Sequence, residues 1–293
     1  MDHFCVVSSR RGCSGHTLAI GSLMCPLLQA PIVLAHGLFG FKQIGLGPLT
    51  LTTYFREIPE WIAASGNRVL VTKVPPIAGI GLRARILAES IEAAFPDEPV
   101  HIIGHSSGGL DARWLLTDPS WRDHVLSLTT IGTPHLGSAI ADFAKIRFGR
   151  IYRQLTALGV DHRGFVDVTR RAARAFHRQA LAPPNIPCFS IAGAPTEDEV
   201  CWPLRRLHAA LDELEGPNDG LVAVESALAF GTSLLVSRLD HLRQMNWFAS
   251  EFGPPPAFGL YALILENLEQ QGFGSRESLE SRVPAGASIV SGA

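Results

Sequence analysis

From residue 31 onward, short apolar runs alternate with longer stretches in which apolar side chains recur every three or four positions. The runs at 31–35, 68–74, 100–103, 126–131, 186–192 and 233–237 carry apolar residues on both faces, which predicts buried parallel strands. Between them, 83–95 sets Ile86, Leu87, Ser90, Ile91 and Ala94 along one stripe, and 107–116 and 256–270 repeat that spacing. A stripe of this period predicts helices with one face turned inward. Strands and helices in alternation predict an α/β fold, with a mainly parallel central sheet and helices on both faces.

Two regions depart from the alternation. Residues 138–184 form a long, mostly helical insertion carrying Phe143, Ile146, Phe148, Ile151, Leu155 and Leu158 among arginines and lysine. An excursion of this kind over the carboxyl ends of the strands is where a cap over a substrate site belongs. Residues 272–293, rich in Gly, Ser and Pro, read as an unstructured tail, leaving 31–271 as one domain.

The first 30 residues resemble a signal peptide in outline, with Arg10-Arg11 before the apolar run 18–28, but Gly21 and Pro26 interrupt that run and Pro31 follows the candidate cleavage residue Ala30. Translation from Met24 is a second reading of the same segment. Export and retention in the cytoplasm both stay open on this pattern. No stretch approaches the roughly 18 uninterrupted apolar residues of a membrane span.

Composition narrows the partners. The 25 basic and 27 acidic residues nearly cancel, so no general charge draws the chain to nucleic acid, and a small or neutral partner is expected. The five cysteines, Cys5, Cys13, Cys25, Cys188 and Cys201, include no C-x-x-C spacing and read as buried or incidental thiols, with a Cys188–Cys201 bridge the alternative in an exported chain. Gly37, Gly40, Gly45 and Gly47 do not make a dinucleotide fingerprint, and neither a P-loop nor an H-E-x-x-H run occurs.

One segment carries chemistry directly. Gly104-His105-Ser106-Ser107-Gly108 sets a G-x-S-x-G pattern between an apolar strand and a helix, the arrangement that lifts a serine hydroxyl above a sheet. Ser106 is therefore the expected nucleophile, with a helix N-terminus behind it to favour developing negative charge. The loop His36-Gly37-Leu38-Phe39-Gly40 directly follows the first strand. A tetrahedral intermediate needs two amides aimed at its oxygen, and Leu38 and Ser107 are the expected donors, with His36 orienting the loop.

A serine of this kind needs an imidazole base and a carboxylate to orient it. Chain order Ser, acid, His selects His241, the last histidine and a few residues past the final strand, and Asp219, in a polar turn 22 positions earlier. Asp198 and Asp212 are the alternative acids, and His208 the alternative base; Asp240 is adjacent to His241 and cannot easily turn onto its ring.

Taken together, His36-Gly37-Leu38-Phe39-Gly40-Phe41, the serine motif, Gly132-Thr133-Pro134-His135-Leu136-Gly137-Ser138 and Asn218-Asp219-Gly220-Leu221-Val222 resemble the bacterial true lipases of the Pseudomonas and Burkholderia type over about residues 31–250. The resemblance implies an α/β-hydrolase fold, triacylglycerol lipase or carboxylesterase activity on a lipid or small ester, a Ser106–Asp219–His241 triad and oxyanion donors at Leu38 and Ser107; it leaves interfacial contact through the cap open. It also implies a structural calcium held partly by an aspartate two residues after the histidine, where this chain has Arg243. A cation there opposes calcium, so no cofactor and no metal are expected. The same residues would serve acyl transfer to another alcohol, and a non-catalytic binding protein on this fold is the remaining alternative.

Overall fold

The computed structural model describes residues 6–7, 25–38, 44–46, 49–52, 54–248 and 256–275. Its strands are β1 (Val6–Val7), β2 (Ile32–Ala35), β3 (Ile44–Leu46), β4 (Leu49–Thr52), β5 (Val69–Val71), β6 (Val100–His105), β7 (Val125–Ile131), β8 (Cys188–Gly193) and β9 (Thr232–Ser237). Seven of them form one sheet in the order β1-β5-β2-β6-β7-β8-β9, parallel except for β1 at its edge, and β3 pairs with β4 separately. The helices are α1 (Ile58–Ala64), α2 (Ile80–Ala94), α3 (Ser107–Leu115), α4 (Ala139–Arg147), α5 (Gly149–Ala157), α6 (Gly164–Asp167), α7 (Arg170–Gln179), α8 (Arg205–Glu215), α9 (Val224–Ala227) and α10 (Pro256–Leu268).

The apolar runs become strands because both sheet faces are covered. Along β2, Ile32 and Leu34 enter one core with Phe55, Ile58, Ile62 and the α10 residues Phe258 and Leu265. Val33 and Ala35 enter the other, with Leu87, Ile91, Ala112 and Leu115 of α2 and α3. Successive residues point to opposite faces, so a strand sandwiched between two helical layers carries apolar residues on both. Trp61 of α1 stacks on Phe258 of α10 with ring centroids 4.9 Å apart.

Several expectations need correction. The last strand is not buried on both faces: β9 has only β8 beside it, and Thr232 and Ser233 are exposed. The strand expected over 68–74 closes at Val71, because Lys73-Val74-Pro75-Pro76 leaves the sheet and Val74 N turns to His36. Cys25, Cys188 and Cys201, by contrast, are the buried free thiols expected, and no Cys188–Cys201 bridge forms. The helix expected over 256–270 is present as α10 and runs on as a π-helical turn over Glu269–Phe273, after which Gly274 bridges to Leu28. Cys25, Leu28 and Ala30 are buried against the body, so residues 25–30 and 272–275 belong to the folded unit, while 8–24 and 276–293 lie outside the described residues.

Candidate active site

β6 ends at His105 and α3 begins at Ser107, so Ser106 alone makes the turn between them. Its backbone stands at φ 55°, ψ −132°. A residue with a Cβ is held in such a region at a cost of about 1–3 kcal/mol. Ile131 O fixes the turn by accepting from Ser106 N at 2.9 Å. The two glycines of the motif are packing requirements: a Cβ on Gly104 would lie 2.6 Å from Gly109 Cα, and one on Gly108 would lie 2.2 Å from Ala35 O. Only their absence lets α3 press against β2 and β6 and leave Ser106 lining the cavity above the sheet.

Asp219 and His241, far apart in sequence, meet beside this turn. His241 Nδ1 is 2.8 Å from Asp219 Oδ2, and the backbone repeats the link, His241 N donating to Asp219 O at 2.8 Å. The other carboxylate oxygen accepts from Leu221 N at 3.0 Å and Val222 N at 2.8 Å. A carboxylate bonded to Nδ1 places the proton there and leaves the Nε2 lone pair for a hydroxyl. Gly132, at φ 54°, makes room for the pair, since a Cβ there would lie 2.8 Å from Asp219 Oδ2. His241 and Ser106 line the same cavity, and among the described residues Ser106 Oγ makes no hydrogen bond to the ring in this conformation.

Sequence reasoning missed a chain of buried groups that joins Asp219 to the loop after β2. Gly37 N donates to Tyr54 Oη at 3.0 Å, Tyr54 Oη lies 2.8 Å from His105 Nδ1, and His105 Nε2 lies 3.1 Å from Gln244 Oε1. Gln244 Nε2 then donates to Asp219 Oδ2 at 3.3 Å and to Leu239 O at 3.2 Å. One proton arrangement satisfies every link: Tyr54 donates to Nδ1, and neutral His105 donates from Nε2. Burial, and then the neighbouring His241, hold His105 well below the ordinary histidine range, and burial pushes the Tyr54 phenol up, so both stay neutral. No local signal marks Tyr54 or Gln244, because their partners lie 51 and 139 residues from them or from each other's contacts along the chain.

The expected oxyanion loop is also anchored from below. His36 Nδ1 donates to Gly37 O at 2.8 Å and its Nε2 accepts from Val74 N at 3.4 Å. Burial and the Arg83 charge push its pKa down to about 4, which keeps that acceptor available. Arg83 donates to His36 O at 2.7 Å and to Pro75 O at 2.7 Å, and pairs with Asp111 at 2.8 Å with both side chains buried. Leu38 follows in the turn and lines the cavity, and Ser107 N, the first amide of α3, has no acceptor inside its helix.

The cavity over these groups has a volume of about 650 Å³. Its floor holds Ser106 and His241; Ile140, Phe148, Ile151, Leu155, Phe165 and Val168 form one wall and Val222, Leu242, Met245 and Trp247 the other. The first wall comes from α4 to α6 and the residue after α6, inside the segment expected to be a cap. The alternative site residues are elsewhere: Asp198 and Asp212 are exposed, and His208 is buried in α8 without lining this cavity.

The residues that would face calcium do not fit a divalent cation. Arg243 Nη1 sits 3.4 Å from Asp240 Oδ2, and the Asp240 carboxylate is already taken by the amides of Cys201, Leu242 and Arg243 at 2.9, 3.0 and 2.9 Å. Glu199 is paired with Arg238 at 2.6 Å. Two guanidinium groups supply the positive charge here, and a metal would have to displace them.

Comparison with known proteins matches residues 83–213 to the family model described as alpha/beta hydrolase fold. The chain is 30% identical over 268 residues to triacylglycerol lipase 2 of Saccharomyces cerevisiae, covering 74% of this chain and 80% of that one. It is 37% identical over 118 residues to a triacylglycerol lipase of Vibrio cholerae, a match that spans 39% of this chain and 36% of the other. Among solved structures it is similar to a Staphylococcus hyicus lipase, with a TM-score of 0.66 at 19% identity over 90% of this chain and 100% of that one.

Proposed function

Since this chain belongs to the triacylglycerol lipase family of the α/β-hydrolase superfamily and is a carboxylic ester hydrolase, we propose that it cleaves fatty-acyl esters through an acyl-enzyme on Ser106. In this reading Ser106 Oγ attacks the ester carbonyl and passes its proton to His241 Nε2, while Asp219 holds the ring and offsets its charge. The amides of Leu38 and Ser107 receive the oxyanion. The alcohol leaves with the proton from His241; water, deprotonated by the same nitrogen, then adds to the acyl carbonyl and frees the acid and Ser106.

The observation that carries the reading is the Asp219–His241 pair at 2.8 Å on the floor of an apolar cavity whose floor also holds a serine on a strained strand-to-helix turn. Apolar walls favour an acyl chain over a charged or sugar substrate. The helices from Ala139 to Gln179 act as the cap, and lipid contact is made through them. Calcium plays no part, in keeping with the pairing of Arg243 and Arg238; turnover lost on chelation and regained with calcium would contradict this.

A series of p-nitrophenyl esters of rising chain length, run beside emulsified triglyceride, tests the substrate class, with medium and long acyl chains expected to give the higher kcat/KM. Ser106→Ala is expected to lower turnover of every ester by roughly 10⁴-fold or more. A variant retaining wild-type rates would remove Ser106 from the mechanism.

A further inference from the structure

The surface of α4 and α5 is built against ordinary expectation. Among the described residues, twelve large hydrophobic side chains stand exposed, and six of them, Phe143, Ile146, Phe148, Ile151, Leu158 and Val160, fall within 143–160. Ile146 is 83%, Leu158 77% and Phe143 64% exposed. An apolar patch this concentrated marks an interaction surface.

The same stretch is strongly cationic. Lys145, Arg147, Arg150 and Arg153 are exposed, and 143–160 contains no acidic residue, although the whole chain has a net charge of −2. The carboxylates at its borders are already occupied, Asp142 by Arg170 at 2.6 Å and Asp161 by Arg163 at 2.9 Å. Among the described residues none of the four cations is in an ion pair. Between α4 and α5 an open recess of about 500 Å³ is lined by Arg147, Arg150 and Arg153 together with Ile146, Phe148 and Ile151. Guanidinium groups beside apolar side chains suit a phosphate headgroup with its acyl chains, because each half of the lipid meets its own chemistry. Phe148 and Ile151 also line the cavity above Ser106, so a surface seated here is continuous with the entrance to that cavity.

We infer that the α4–α5 face docks the enzyme on an anionic phospholipid surface, with its arginines on lipid phosphates and its apolar side chains inserted between the headgroups. This rests on the cap reading above and adds to it a charge preference in the surface recognised. A neutral oil would use the apolar side chains alone; four cations in no salt bridge, with Arg147 set over the Phe148 ring at 5.7 Å, add an attraction for a surface of negative charge.

The test uses the full chain carrying Ser106→Ala, so that binding is measured without hydrolysis. Co-sedimentation is compared between vesicles of phosphatidylcholine and vesicles of phosphatidylcholine with phosphatidylglycerol in equal parts. Binding to the mixed vesicles is expected to be tighter by at least about tenfold and to weaken with salt. Charge reversal by Arg147→Glu, Arg150→Glu and Arg153→Glu together abolishes that preference, and Ile146→Ser with Phe143→Ser weakens binding to both vesicles. Equal binding to the two compositions overturns the inference. So does displacement by inorganic phosphate beyond that of chloride at equal ionic strength, which would make the recess a free-phosphate site, or an oligomer in sedimentation velocity that the triple variant dissociates, which would make the face a subunit contact. Turnover of a soluble p-nitrophenyl ester by the wild type and by the triple variant separates this from the catalytic reading. Loss of vesicle preference with intact turnover implicates the surface alone, and vesicle binding by a chain that turns over no ester would leave the surface standing and the triad overturned.

Discussion

The floor and the helical wall of the one cavity are built on opposite principles. On the floor, Asp219, Gln244, His105 and Tyr54 are buried, and each spends its polar atoms on the next. In the wall, α5 contributes no buried residue at all, and α4 buries only Ala139. A dry, saturated network has one low-energy arrangement, which suits groups that must meet a reacting atom within a fraction of an ångström. A helix pair with its apolar side chains in solvent gains little from its present position, which suits an element that selects and admits a substrate. On the proposed reading, fixed chemistry and adjustable access are divided between two parts of the chain.

The comparison predicts that substitutions on the floor act on kcat and those on the wall act on substrate choice. After the Ser106→Ala variant proposed above, the largest effect is expected from Asp219→Asn, which favours the wrong tautomer of His241 and should lower kcat by roughly 10³–10⁴-fold with the fold intact by circular dichroism. Gln244→Leu, which removes one donor to Asp219 and the acceptor of His105, is expected to lower kcat about 10- to 100-fold at nearly constant KM. A fall in melting temperature without that kcat change would make Gln244 a packing residue only. On the wall, Phe148→Asp is expected to raise KM for p-nitrophenyl octanoate about tenfold while the acetate ester changes by less than about twofold. Equal losses on both esters would erase the distinction between wall and floor.

The smallest effect concerns acid stability. Burial pushes His36 and His101 down to about 4, and His105 and His135 lie well below the ordinary value, so the folded chain holds all four neutral. In the unfolded chain they take up protons near pH 6.5. Between there and pH 4 the unfolded state binds more protons, so the stability these groups contribute is present above pH 6.5 and lost as pH falls. Thermal melts from pH 7.5 to 4.5 should therefore show a falling Tm, and His101→Phe should flatten the fall by a few degrees. An unchanged slope in that variant would mean that His101 is not held neutral.

How far the sequence revealed this molecule follows the same division. Strands β2, β6, β7 and β8 were legible because both faces are buried and apolar residues fall on each, with a few buried polar residues such as His101, Ser127 and Ser190 among them, and β9 because it retains an apolar centre despite its exposed edge. Helix α1 was not, being seven residues long with a proline near its start, too short for a period to declare itself. The strained turn at Ser106 was legible because its glycines are tied to it by local packing, and the Asp219–His241 contact because chain order singled out both residues. Tyr54, Arg83 and Gln244 carry no such mark: each acts through a partner that only the folded sheet brings near, as with Arg83 and the His36 carbonyl 47 residues away.

The most direct measurement of the central claim is peptide mapping after reaction with a fluorophosphonate probe. A single adduct on Ser106 is expected, formed rapidly in the wild type, lost in Ser106→Ala and slowed by orders of magnitude in His241→Ala. Labelling at another residue, or labelling of Ser106 at undiminished rate without His241, would contradict the account.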